Sequence, residues 1–142
     1  MNSQFLDFKI IHKEEITAII DRCTGINKRK VFLLYDEKEI DQLPFLSKIL
    51  AAVKLDLAQD LLVLEGDSSS TFSFFDLKEG QQIDKAIIFG YAPKFIGIHL
   101  LINKYEVTTI NNCQFLFADG LEKISNDKQL KGKLWGALKG MF

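Results

Sequence analysis

The chain has 142 residues, 47% of them hydrophobic and 26% charged, enough for one well-buried core and too few for two comfortable ones. Its 18 basic residues stand against 19 acidic ones, which gives no global pull toward polyanions or anionic membranes. No apolar segment reaches the ~20 residues of a membrane helix, and the opening "MNSQFLDFKIIHKEEI" meets Asp7, His12, Lys13 and Glu14 before any sustained apolar run, unlike a secretory signal. A single domain over residues 1–142, soluble and cytoplasmic, is the expectation.

The first residues carry apolar positions without a clear period, and 1–10 read as an N-terminal arm or as an edge strand. "HKEEITAIIDRCTG" then places Ile16, Ile19, Ile20 and Cys23 at i, i+3, i+4 and i+7, an amphipathic helix stopped by Gly25. After the basic turn "NKRK", the run Val31 to Tyr35 is too short for a helix and too apolar for a half-exposed strand, so it reads as a central strand. "LPFLSKILAAVKL" sets Leu43, Leu46, Ile49, Leu50 and Val53 on one helical face, with Pro44 in a first turn that tolerates it.

A second strand is expected over Leu61 to Glu65, and the polar loop Ser68 to Ser70 leads to "TFSFFDL", read as a short additional strand. "IDKAIIFG" repeats the shape of the first strand and ends at Gly90, and Pro93 opens a short helix or turn in "APKFIGI". The segment "HLLINKYEVTTINN" suits either a further hairpin or a surface wrap, and "CQFLFA" is the last strand. In the closing helix, Asn126 is the expected N-cap, with Gln129 completing a capping box and Asp127 at the positive end of the dipole. Leu130, Leu134, Leu138 and Met141 follow on one face with Trp135 beside them. Apolar strands alternating with helices predict a three-layer α/β sandwich around a small, mainly parallel sheet.

In such a sheet, ligands bind at the carboxyl ends of the strands. Tyr35, Asp36, Glu65, Asp67, Tyr91 and Asp119, with Gly90 and Gly120, are the candidates to line one crevice there. Phosphate-cradling GxGxxG and GxxxxGK[ST] loops are absent, as is a GxSxG elbow. His12 and His99 sit in no catalytic or metal-ligand spacing, and Cys23 and Cys113 read as structural thiols. No cofactor is expected.

Three segments carry a resemblance: "FLSKILAAVKLDLAQDLLVLEGD", "IDKAIIFGYAP" and "FLFADGLEKISNDKQLKGKLWGALKGMF", the last with its "KLWGALK" helix. On these the chain resembles the uracil-DNA glycosylase superfamily and, within it, the noncatalytic branch formed by the psi subunits of the bacterial DNA polymerase III clamp loader. The resemblance covers roughly residues 31–142. Active members have a glycine-rich water-activating motif after the first strand, where this chain has Tyr35, Asp36, Glu37, Lys38 and Glu39. Glu65, Gly66 and Asp67 stand where the uracil-reading asparagine is expected, and Ala118, Asp119 and Gly120 replace the His-Pro-Ser type motif. Without that histidine nothing stabilises a developing uracil anion, and Asp119 reads as a turn residue that adds a repulsive charge.

The resemblance implies a noncatalytic adaptor of DNA replication or repair that acts through protein contacts, with clamp-loader subunits as partners and Phe5, Leu6, Phe8 and Ile10 as a docking element. A second reading is a degenerate glycosylase that still holds nucleic acid or a nucleobase in the old cleft. There Tyr35 and Tyr91 would stack a base, and Lys28, Arg29, Lys30, Lys128 and Lys131 would contact phosphate. A third is a metal-dependent enzyme using Asp36, Asp67 and Asp119.

Overall fold

Four apolar runs dominate the architecture of this computed structural model, which describes residues 16–67 and 71–142. Strands β1 (Val31–Asp36), β2 (Leu61–Gly66), β3 (Lys85–Phe89), β4 (Thr108–Ile110) and β5 (Cys113–Ala118) form one sheet in the order β2-β1-β3-β5-β4. All pairs are parallel except β4 with β5. The fold is α/β, with a mainly parallel five-stranded sheet and flanking helices.

Helices cover both faces, which is why the central strands are apolar throughout rather than alternating. Val31, Leu33, Tyr35, Ile87, Phe89 and Leu116 point to one side, where Leu46 and Leu50 of α2 (Leu43–Ala52), Leu121 and Ile124 of α4 (Leu121–Ser125) and Leu134, Leu138 and Met141 of α5 (Lys128–Met141) meet them. Phe32, Leu34, Leu64, Ile88, Phe115 and Phe117 point to the other. There they pack with α3 (Phe74–Gly80) and with α1, whose described part spans residues 16–22 and buries Ile19.

Two expectations about elements are corrected. "TFSFFDL" is not a strand: only its first residues are extended, and α3 follows with Phe74 and Leu77 buried three positions apart. The Phe72/Phe74 alternation imitates a strand, but Phe74 is held edge-on by Phe32 at 5.5 Å and Phe115 at 5.0 Å in the helical layer. Asn126 does not cap α5. The cap is Asp127, whose carboxylate accepts from the Gln129 and Leu130 amides at 2.9 and 3.2 Å, while Asn126 closes α4, a turn the periodicity did not separate. Trp135, placed beside the apolar face of α5, is 42% exposed.

The ambiguous segment before β5 does both things considered for it. Residues 99–107 wrap the surface, and Thr108–Ile110 then pairs with β5 through Asn111 and Asn112, at φ 50° and 63°. Two consecutive left-handed residues match the right-handed strand twist, and asparagine tolerates that conformation better than most residues. Among the described residues no helix is long and apolar enough to cross a membrane.

Candidate functional site

The strand order diverges at β1, with β2 on one side and β3 on the other, so the carboxyl ends of β1 and β3 mark the switch point where an open α/β sheet offers a crevice. Asp36 ends β1, and its carboxylate accepts from the Lys38 amide at 2.9 Å, starting a 3-10 turn over Glu37–Gln42. This turn carries Glu39 across the crevice. Its two carboxylate oxygens accept from the Leu121 and Glu122 amides at 2.9 and 2.8 Å, so α4 is capped from a distant part of the chain. A negative group on orphan amides at a helix start is favourable.

Two glycines allow this closure. A Cβ on Gly120 would stand 3.2 Å from both Glu39 carboxylate oxygens, and Gly90, at φ +80°, packs so near that its own Cβ would lie 3.3 Å from the Gly120 Cα. Tyr91 follows and lies over Gly66, where an added Cβ would come within 2.6 Å of the tyrosine oxygen. Its ring also packs on Phe95, with centroids 4.2 Å apart and planes tilted by 32°. The Tyr91 hydroxyl is buried without a hydrogen-bond partner among the described residues. Burial, then the charges of Asp36, Asp67, Glu37 and Glu39, pushes its pKa up to about 12.

Asp119, after β5, is 8% exposed. Its carboxylate accepts from the Tyr105 hydroxyl at 2.7 Å, from Lys104 at 2.6 Å and from Lys123 at 3.4 Å, and its own amide donates back to the Tyr105 oxygen at 3.3 Å. Burial alone would raise the pKa of Asp119, but the hydrogen bonds from Lys104 and Tyr105 and the charges of Lys104 and Lys123 outweigh it and hold the carboxyl below its ordinary value. The Tyr105 hydroxyl is pushed up, by burial first and then by its bond to Asp119. Asp119 is therefore more than a turn residue: it pins the 99–107 wrap to the end of β5. Its charge is neutralised locally.

The expected single crevice is split. Gly90, Tyr91, Asp119 and Gly120 border a hollow of about 310 Å³ together with Lys104 and Phe117. Tyr35 and Glu65 border a separate one of about 560 Å³ near Thr24, Ile26 and Leu57. Tyr35 is 1% exposed and donates to Glu65 at 2.7 Å, so its ring belongs to the core and has no free face for a base. Burial and the Glu65 carboxylate raise its pKa. Asp36, Asp67 and Asp119 do not converge, and among the described residues no three Asp, Glu, His or Cys side chains are grouped to hold a metal ion.

The phosphate candidates are also divided. Lys28, Arg29 and Lys30 lie in the turn entering β1, at the amino ends of the strands. Lys128 and Lys131 open α5, with Lys131 5.9 Å from the ring of Phe45, which lies at the start of α2 beyond the other end of β1. A helix as long as α5 spans about 21 Å, so the two groups are at opposite ends of the molecule. Phe5, Leu6, Phe8 and Ile10 lie outside the described residues.

Sequence reasoning missed Glu39, Lys104, Tyr105 and Lys123. Only Lys123, four residues after Asp119, left a local signal, since i,i+4 pairs meet on one helical face. No protein-family model matches this chain, and no curated protein matches it in sequence. What is established is the architecture.

Proposed function

We propose that the protein is a noncatalytic adaptor of DNA replication or repair, working by protein contact in the manner of the clamp-loader psi subunits it resembles. The observation that carries this reading is that the polar groups around the crevice at the switch point are engaged by the protein's own side chains, although a hollow of about 310 Å³ remains there. Glu39 occupies the amides at the start of α4, Tyr91 covers Gly66, and Asp119 is consumed by Lys104, Tyr105 and Lys123. A glycosylase needs donors aimed at the charge that develops on its leaving base, in a pocket open to a flipped nucleotide. Here an anionic Asp119 stands in the corresponding loop, and the Leu121 and Glu122 amides of α4 are already satisfied by Glu39.

The reading is also supported by where the three resembling segments fall. They fold as α2 with β2, β3 with its glycine turn, and β5 with α4 and α5, all within or against the parallel part of the sheet. Affinity capture of the tagged chain from a native bacterial lysate, followed by mass spectrometry at moderate salt, tests the proposal. Recovery of clamp-loader subunits, lost when residues 1–9 are deleted without a change in melting temperature, is the expected result. Release of uracil from a uracil-containing oligonucleotide by the purified chain would overturn the noncatalytic part of the reading.

A further inference from the structure

At the amino ends of the strands, away from the crevice, three cations from three elements border one hollow of about 380 Å³. Arg29 comes from the turn before β1, Lys54 follows α2, and Lys139 is in the last turn of α5; Ala52, Val53 and Phe142 form an apolar floor. Among the described residues no Asp or Glu side chain lines the hollow and none of the three cations is in an ion pair, so the main-chain carboxylate of Phe142 is the one negative group at its rim. A fourth, Lys85, sits 4.4 Å from the Phe142 ring and donates to the Met141 carbonyl at 2.6 Å. The near-zero net charge of the chain conceals this concentration.

Lys54 is the informative residue. α2 ends with the Lys54 amide on the Ala51 carbonyl at 3.0 Å and the Leu55 amide on the Leu50 carbonyl at 2.9 Å, the Schellman pattern, with Lys54 at φ 62°. That position ordinarily belongs to glycine, because a side chain there is crowded by its own backbone. The chain keeps a cation where glycine would be the more stable residue. Lys30, beside Arg29, repeats this at φ 58°.

We infer that this notch binds an acidic peptide segment of a partner protein, with carboxylates on Arg29, Lys54 and Lys139 and one apolar side chain on the Ala52, Val53 and Phe142 floor. An inorganic anion would leave that floor unused. Single-stranded nucleic acid needs several aromatic faces on which successive bases stack, whereas Phe142 is the one aromatic ring among the described residues that border the hollow. The inference rests on the adaptor reading and adds the chemistry of one partner at a defined surface.

The test is fluorescence anisotropy with the full chain and a fluorescein-labelled peptide of four aspartates alternating with three leucines. Binding is expected to weaken as salt rises and to fall about tenfold in Arg29→Glu and again in Lys139→Glu. Lys54→Gly should bind severalfold more weakly while melting about 3 °C higher, which separates lost binding from lost folding. No binding by the wild-type chain, equal binding by all three variants, or tighter binding of an oligothymidylate through the same residues would each overturn the inference. If the peptide fails while clamp-loader subunits are still captured, only this inference falls and the adaptor reading stands.

Discussion

Replacing Asp119 by asparagine removes one charge from a site whose partners are all defined. The amide keeps an acceptor for the Tyr105 hydroxyl, now 2.7 Å from a carboxylate, but the bond is no longer charge-assisted. Hydrogen bonds to charged groups contribute about 1.5–3 kcal/mol and neutral ones about 1, so this exchange costs about 1 kcal/mol. Lys104 and Lys123 are 59% and 68% exposed, and solvent screening leaves each pair worth about 0.2–1 kcal/mol. Asp119→Asn should therefore destabilise by about 1.5–3 kcal/mol at pH 7.

The effect should depend on pH in one direction. The folded carboxyl has a lowered pKa, so its stabilisation is fully present above the ordinary aspartate value near 3.9 and is lost as pH falls through the lower folded value. Urea unfolding of both proteins, followed by circular dichroism from pH 7 down to pH 2.5, measures this. The gap between wild type and variant should narrow below about pH 4. A constant gap across that range, or none at pH 7, would refute the account of Asp119 as the anionic centre of the knot.

Further outcomes follow from the same geometry. Gly66→Ala should destabilise by about 1–3 kcal/mol, because the new Cβ meets Tyr91; pairing it with Tyr91→Ala should recover part of the loss, and strict additivity in denaturant melts would contradict the contact. Tyr91→Phe should leave stability unchanged or raise it slightly, since the hydroxyl it removes has no partner among the described residues, and a loss above about 1 kcal/mol would show that it has one. Glu39→Ala should cost about 1–2 kcal/mol as a lost helix cap, visible as faster amide exchange at Leu121 and Glu122. Burial raises the thiols of Cys23 and Cys113 to about 11, so both should resist iodoacetamide at pH 8 until the chain is unfolded.

The strand runs were legible because a doubly covered strand has no polar side to disguise it. Val31–Asp36, Leu61–Gly66, Lys85–Phe89 and Cys113–Ala118 fall within a residue or two of their expected limits. The α2 and α5 faces were legible for the complementary reason, a 3.6-residue period with one buried stripe. "TFSFFDL" misled because two phenylalanines two apart satisfy a strand pattern while one of them belongs to an approach segment and the other to a helix. The capping shift from Asn126 to Asp127 is a choice between two competent caps one residue apart, decided by where α4 ends.

By itself the sequence determined the layer architecture, the apolar strands, the helix faces and the absence of known phosphate and nucleophile motifs, since all of these are local patterns of polarity and turn chemistry. Only the tertiary structure decided what the carboxyl-end loops do. Glu39 reaches amides more than eighty positions away, Tyr91 settles on Gly66, and Asp119 is neutralised by residues of a surface wrap. It also decided that Lys28–Lys30 and Lys128 lie at opposite ends, and that Arg29, Lys54 and Lys139 come together. Contacts between residues distant in the chain depend on the folded path of the backbone, and no local period encodes that path.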